Sequence, residues 1–139
     1  MTADDYTLIH TLNAVYAHAL DGLLPDSATA WANTFAADGA VSILDSHGGL
    51  IAQAKGTERL IALWKSFPDP ATTRHWFNNI VIEPDGDLVQ MRAYIIALNI
   101  GSSPAVILRT GTYRDVLTRQ TGAWKFRERS LTLDPASHV

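Results

Sequence analysis

The sequence predicts an α+β fold, with a curved antiparallel sheet wrapped over packed N-terminal helices. Three observations carry this expectation. Apolar residues recur at helical spacing in the first half of the chain. From about residue 72 onward the pattern changes to alternation rich in β-branched and aromatic residues. The clusters "EPDGD", "IGSSP" and "RQTGA" then cut that second half into strand-length pieces. With 139 residues and no repeat, low-complexity tract or linker, the chain is expected to form a single domain spanning residues 1–139.

Each element has its own signal. Thr2 followed by Asp4 and Asp5 starts the first helix, with the acids facing the positive end of its dipole. Tyr6, Ile9, Asn13, Tyr16 and Leu20 form one stripe along it, and Leu8, Leu12, Val15 and Ala19 a neighbouring one. Gly22 is the natural stop. "LLPDSATAWANTF" predicts a second short helix, capped near Asp26 or Ser27, with Trp31 and Phe35 on its buried side. "AVSILDS" reads as a strand, "HGG" as a turn and "LIAQA" as a short return strand. "GTERLIALWKSF" predicts a third helix capped by Thr57 and ended by "PDP". Strands are expected over roughly 72–83, 87–100, 104–119 and 123–133. A curved sheet closed on one side by helices makes a cone with an apolar interior, a natural place for a small ligand.

Composition narrows the function. The chain is 47% hydrophobic and 18% charged, an ordinary globular balance. It has no cysteine, so it offers no disulfide framework and no thiolate metal site. A net charge of −3 argues against nucleic acid as a partner. The late basic cluster "RTGTYRDVLTRQTGAWKFRERS" reads as the solvated face of paired strands. No apolar run is long enough to span a bilayer, and the acidic N-terminus is unlike a signal peptide, so a cytoplasmic location and no membrane partner are expected. There is no HExxH, compact His/Asp/Glu set, GxGxxG, phosphate loop or nucleophile elbow, so neither metal nor cofactor is assigned.

The residue that stands out is His75, in "TTRHWFNNI". Alternation places His75, Phe77, Asn79 and Val81 on one face and Trp76, Asn78, Ile80 and Ile82 on the other. An imidazole there needs a partner or loses about 1–3 kcal/mol. A backbone carbonyl or Asn79 could supply it, which would make His75 a core residue. Asp21 is the other candidate. It ends the first helix against the negative end of the dipole, an unfavourable place by about 0.3–1 kcal/mol unless solvent or a partner compensates. An aspartate on one ring nitrogen would make the other a better base.

The ordered set "YAHALDG", "WANTFAADGAV", "GTERLIALW", "TTRHWFNNI" with "EPDGD", and "RTGTYRD" with "GAWKFRER" resembles the SnoaL-like, nuclear-transport-factor-type cone-fold superfamily. The likeness runs over nearly the whole chain and is strongest to the branch of scytalone dehydratase, bile-acid dehydratase and hexachlorocyclohexane dehydrochlorinase. That branch performs β-eliminations without cofactor or metal, using an aspartate that ends the first helix and a histidine on a strand. The resemblance implies a catalytic pair of Asp21 and His75. It adds Tyr16 and Arg129 as further catalytic candidates and Asn79 as a substrate contact. The chain departs from scytalone dehydratase where that enzyme has a second histidine, a place held here by Asn99 or a neighbour, which argues against simple dehydration. Ketosteroid isomerase carries its base on the first strand, and here that position is Ile43. Asp38 and Asp45 read as turn residues, while His10, His18, His47 and His138 are weaker candidates.

The expectation is a cofactor-free, lyase-like enzyme acting on an apolar or polycyclic small molecule. His75 would be the base, Asp21 its orienter, and Tyr16 and Arg129 donors to developing charge. Trp31, Phe35, Trp64, Trp76 and Phe77 would wall the pocket together with Asn79 and Asn99. The alternative is a non-catalytic binding or assembly module of the same fold, such as the small subunit of a ring-hydroxylating dioxygenase. A homodimer or higher homo-oligomer is expected through Ile80, Ile82, Val106 and Leu108 on the outer face of the sheet.

Overall fold

A computed structural model describes residues 1–137. Three helices pack on one face of a curved, unclosed six-stranded sheet, in the expected α+β arrangement. Helix α1 (Ala3–Leu20) is followed by α2 (Ser27–Ala32), β1 (Phe35–Leu44), β2 (Leu50–Lys55) and α3 (Thr57–Ser66). A single 3₁₀ turn, Pro70–Thr72, leads into β3 (Thr73–Asp85), β4 (Leu88–Asn99), β5 (Val106–Gln120) and β6 (Ala123–Leu133). The strand order is β2-β1-β6-β5-β4-β3. Every junction is antiparallel except β1–β6, which is parallel. His138 lies outside the described residues.

Helix α1 starts where Thr2 and Asp5 form a reciprocal capping box, satisfying two of the free N–H groups of the first turn. One stripe of the helix is buried, comprising Asp5, Ile9, Asn13, Tyr16 and Leu20 together with Ala17 and Ala19. Tyr6 of the first expected stripe and Leu8 and Val15 of the second stay exposed, while Leu12 and Ala19 of the second reach the core. Gly22 ends the helix in the left-handed region at φ 72°. Leu23 N–H then bonds to His18 C=O and Gly22 N–H to Ala19 C=O, the paired bonds of a Schellman turn.

Several boundaries differ from expectation. Helix α2 ends at Ala32, and Phe35 opens β1 rather than lying on the helix face. Helix α3 is capped by Gly56, not Thr57, with no side-chain cap bond. The largest difference is in β3. Asn79 adopts φ 52°, and the register with β4 shifts between Asn78 and Val81. This bulge inserts one residue and reverses the alternation beyond it. Ile80 and Ile82 therefore pack inward against the core, while Val81 is exposed. The predicted oligomer face loses them, and it loses Leu108, which lines the interior cavity. The exposed apolar side chains of the outer sheet face are instead Trp76, Tyr94 and Ile107, with Val106 nearby.

Candidate active site

The cone encloses a cavity of about 520 Å³ between α1, α2, the segment after α3 and the concave face of the sheet. That volume suits a drug-sized molecule. Its wall is mostly apolar, with Leu20, Val41, Ile43, Phe67 and Ile95 among its members. Ile43 supplies no base at the first-strand position. Gly111 helps shape the interior. A Cβ there would stand 2.6 Å from the Thr132 carbonyl oxygen, so only glycine lets β5 and β6 approach as they do.

His75 lines this cavity and meets Asp21. The Schellman turn leaves Asp21 as the C-cap of α1, buried beside β3. Asp21 Oδ1 is 2.6 Å from His75 Nδ1, and Oδ2 accepts the backbone N–H of His75 at 3.1 Å. The two contacts offset the unfavourable dipole placement of the carboxylate. With Nδ1–H donating to Asp21, the basic lone pair of a neutral ring sits on Nε2. His75 also borders a second, shallower cleft of about 250 Å³ with His10, Asn13 and His18. The histidine therefore separates the deep cavity from a route to solvent.

Tyr16 lines the deep cavity from α1. Phe35, Phe77 and Phe126 hold its ring in place, with centroids 5.6–6.0 Å away. Sequence reasoning missed its neighbour Tyr113, which lines the same cavity from β5. The two rings meet edge-on with centroids 6.2 Å apart, and burial pushes both phenols above their ordinary pKa. Both therefore stay protonated near neutral pH. Trp31 completes this corner. Its Nε1–H lies near the Tyr16 oxygen, yet it makes no hydrogen bond of normal length among the described residues. A buried N–H without an acceptor is destabilising by about 1–3 kcal/mol. An oxygen atom on a ligand would relieve it.

Other expected site residues lie elsewhere. Arg129 does not reach the cavity. It is fully buried behind the tyrosines, with its guanidinium 4.0–4.9 Å from the ring centroids of Phe126, Tyr113, Tyr16 and Phe77. It pairs with Asp115 through Nε–Oδ1 at 3.0 Å and Nη2–Oδ2 at 3.1 Å, and donates to Asn13 at 2.8 Å. Burial raises the Asp115 pKa in spite of the neighbouring cation. Trp64 is also absent from the wall, because its Nε1 donates to the Ala19 carbonyl at 3.1 Å and pins α3 to α1. Phe35 and Phe77 stand behind the cavity lining and Trp76 faces solvent. Asn79 is exposed at the bulge, where its left-handed backbone turns it away from the interior. Asn99 does line the cavity, with Oδ1 accepting from Gly101 N–H.

Asp38 is exposed on β1, and Asp45 accepts from the His47 and Gly49 amides in a surface turn. Arg109, on β5, lines the cavity and was not singled out in the sequence. The parity argument used for His75 would have found both missed residues, since Arg109, Gly111 and Tyr113 alternate on one face of β5. Among the described residues no group of three or more His, Asp or Glu is placed to hold a metal ion. No described helix is long and apolar enough to cross a membrane.

Solved structures with the same architecture are numerous. A protein of unknown function with a cystatin-like fold from Nostoc punctiforme is 25% identical, with a TM-score of 0.81 over 99% of this chain and 96% of that one. ActVI-ORFA from Streptomyces coelicolor is 21% identical, with a TM-score of 0.77 over 93% and 97%. A Catenulispora acidiphila protein in complex with S-DNPA is 23% identical, with a TM-score of 0.76 over 96% of each chain. No curated protein sequence matches. The family model for the SnoaL-like domain matches residues 1–130, and the chain belongs to the SnoaL-like family.

Proposed function

We propose that the protein is a cofactor-free, lyase-like enzyme that removes a proton from an apolar ring compound held in the deep cavity. The observation that carries this reading is the contact between Asp21 and His75 on the wall of a roomy cavity. His75 Nε2 takes the proton from carbon, and Asp21 stabilises the imidazolium that forms. The C–H electron pair becomes the new double bond, and the leaving group departs with its own bonding pair. Where the acidic carbon is next to a carbonyl, charge first collects on oxygen. Tyr16, Tyr113 and Trp31 Nε1 are the donors for that oxygen, and a fixed donor of this type contributes about 2.7–4 kcal/mol. The shallow cleft beside His10 and His18 gives the imidazolium a path to water.

The bound S-DNPA of the Catenulispora acidiphila protein is consistent with a small-molecule cavity in this fold. A carrier or subunit would not require an Asp–His pair at the cavity wall. Self-association is part of the reading, through the outer-face patch of Trp76, Tyr94 and Ile107.

The test uses nitrobenzisoxazole, whose ring opens when a base removes its C–H proton. The C–H electrons form a nitrile, the N–O bond breaks and a phenolate leaves. Wild-type protein should open it faster than free imidazole at the same concentration, and His75→Gln should return the rate to that background. Equal rates for wild type and His75→Gln would reject His75 as the base.

A further inference from the structure

Of the described residues that line the deep cavity, Ser66, Pro68 and Thr72 are exposed to solvent, while the rest are buried or half-buried. All three belong to the end of α3 or to the connection from it to β3. Residues 67–72 therefore form a single layer of chain between the cavity and water. Little backbone structure holds that layer. Phe67 N–H bonds to Trp64 C=O, while Ala71 N–H, Thr72 N–H and Thr72 Oγ1 all turn back on Asp69. Pro68 and Pro70 have no N–H to give. Among the described residues, one hydrogen bond ties the layer to another part of the fold, from Ile100 N–H to Thr72 C=O at 2.9 Å.

Packing does the closing instead. The Phe67 ring stands edge-on to Trp31, with centroids 6.3 Å apart. The Pro70 ring rests on Gly22 so closely that a Cβ on the glycine would stand 2.9 Å from Pro70 Cγ. Such contacts separate without breaking a ladder of hydrogen bonds, and segments with few of those bonds open at a lower free energy than the whole fold. The two prolines fix φ at their positions, so the layer moves as a stiff strap.

We propose that residues 67–72 are the entrance to the deep cavity. The strap lifts Pro70 off Gly22 and Phe67 off Trp31 to admit a ligand, then closes behind it and shields the bound molecule from water. Entry from the shallow cleft would have to displace His75, which Asp21 holds through two contacts. The inference goes beyond the proposed function. It shares the cavity with that reading and makes no use of the base.

The experiment locks the strap and times the passage of a ligand. The chain has no cysteine, so Gly22→Cys together with Pro70→Cys introduces a single disulfide. A Cβ on Gly22 would lie 3.1 Å from Pro70 Cβ, a few tenths of an ångström short of disulfide spacing. A side chain at Gly22 is strained by φ 72°, but the oxidised and reduced forms share that strain, so comparing them isolates the lock. Binding and release of 2-naphthol, an uncharged fused-ring probe, are followed by stopped-flow fluorescence. Oxidation should slow both rates by about 10-fold at nearly constant affinity, because the lock hinders passage and leaves the bound state alone. Pro70→Gly removes the ring on Gly22 and the φ restraint without a strained residue, and it should speed both rates several-fold. Equal rates in the oxidised and reduced forms, or wild-type rates in Pro70→Gly, would overturn the gate and leave the base mechanism standing. A strap that responds as expected, with nitrobenzisoxazole opened equally by wild type and His75→Gln, would keep the entrance and reject the base. Failure of 2-naphthol to bind wild type would reject the cavity as a ring-binding site, and both readings with it.

Discussion

Asp115 and Asp21 each hold a cationic or basic side chain, and they do so under opposite conditions. Asp115 and Arg129 are both sealed, with side-chain exposures of 0% and 0%. Asp21 and His75 have exposures of 4% and 10%, and the histidine borders two cavities. The sealed pair is enclosed by four aromatic rings and Asn13, so no reacting atom can approach it. The open pair commits one ring nitrogen to the carboxylate and leaves the other without a hydrogen bond among the described residues. A carboxylate–cation contact becomes a catalytic feature only where one partner keeps a free valence toward a cavity. The sealed pair has a different task. It carries the floor on which Tyr16 and Tyr113 stand.

The sharpest way to break the comparison is to remove Arg129. Arg129→Met should destabilise the fold by about 3–5 kcal/mol, because Asp115 is left buried without its partner. Adding Asp115→Leu should restore much of that stability, since the uncompensated charge is gone. Urea unfolding of the single and double variants measures both. A fold that tolerates Arg129→Met but loses activity would reverse the assignment and return Arg129 to the catalytic group.

Changes to the open pair should act on rate with little effect on folding. His75→Gln should lower turnover by about 10²–10⁴-fold, the usual contribution of a general base. Asp21→Asn should be milder than His75→Gln while lowering turnover by the same route. It keeps the size of the side chain but loses the charge that favours the correct tautomer and stabilises the imidazolium. Ring-proton shifts of His75 during a pH titration should move between wild type and Asp21→Asn. If they coincide, the contact has no electrostatic consequence. Tyr113→Phe should cost about 10²- to 10³-fold in rate at nearly unchanged stability, because only a hydroxyl facing the cavity is removed.

The positions of Asp21 and His75 were legible in the sequence, but their pairing was implied only by the family resemblance, and the sealed pair was missed. Gly22 stops α1 at a defined place, so Asp21 could be set at the helix end, and simple alternation placed His75 inward. Arg129 had the same strand parity as an active-site residue. What decided its role was Asp115, fourteen positions earlier, brought opposite by the β5–β6 register. Local pattern carries no information about that pairing. Asn79 shows a second limit. One left-handed residue reversed the faces of β3 and moved Ile80 and Ile82 from the expected oligomer face into the core. Phe35 moved from helix to strand because α2 stops at Ala32, with Thr34 Oγ1 donating to the Trp31 carbonyl as the chain turns. Tyr113 and Arg109 were within reach of the parity rule, but a strand crowded with polar residues made them look like a solvated face.

A third pair tests whether exposure is the right axis. Asp5 binds Arg119 at 2.7 Å and the Trp124 indole N–H at 3.1 Å, and it accepts the Thr2 amide at 2.8 Å. It thereby ties the start of α1 to the β5–β6 hairpin, with an arginine that is half in water. The backbone hydrogen bond from Thr2, followed by the indole of Trp124, holds the Asp5 carboxyl pKa at about 2 against an ordinary 3.8. The folded pKa is depressed, so the stabilisation is fully present above the ordinary value and is lost as pH falls through about 2. Asp5→Asn should therefore lie closest to wild type in strong acid and separate from it as pH rises from about 2 to about 4, with a constant gap above that. The ion-pair part of the difference should also shrink in high salt, because one partner is screened by solvent. Neither the sealed nor the open pair should show that salt response. Thermal melts across pH and ionic strength would measure it, and a salt-independent gap would mean that the N-cap and indole bonds, not the arginine, hold the hairpin to the helix.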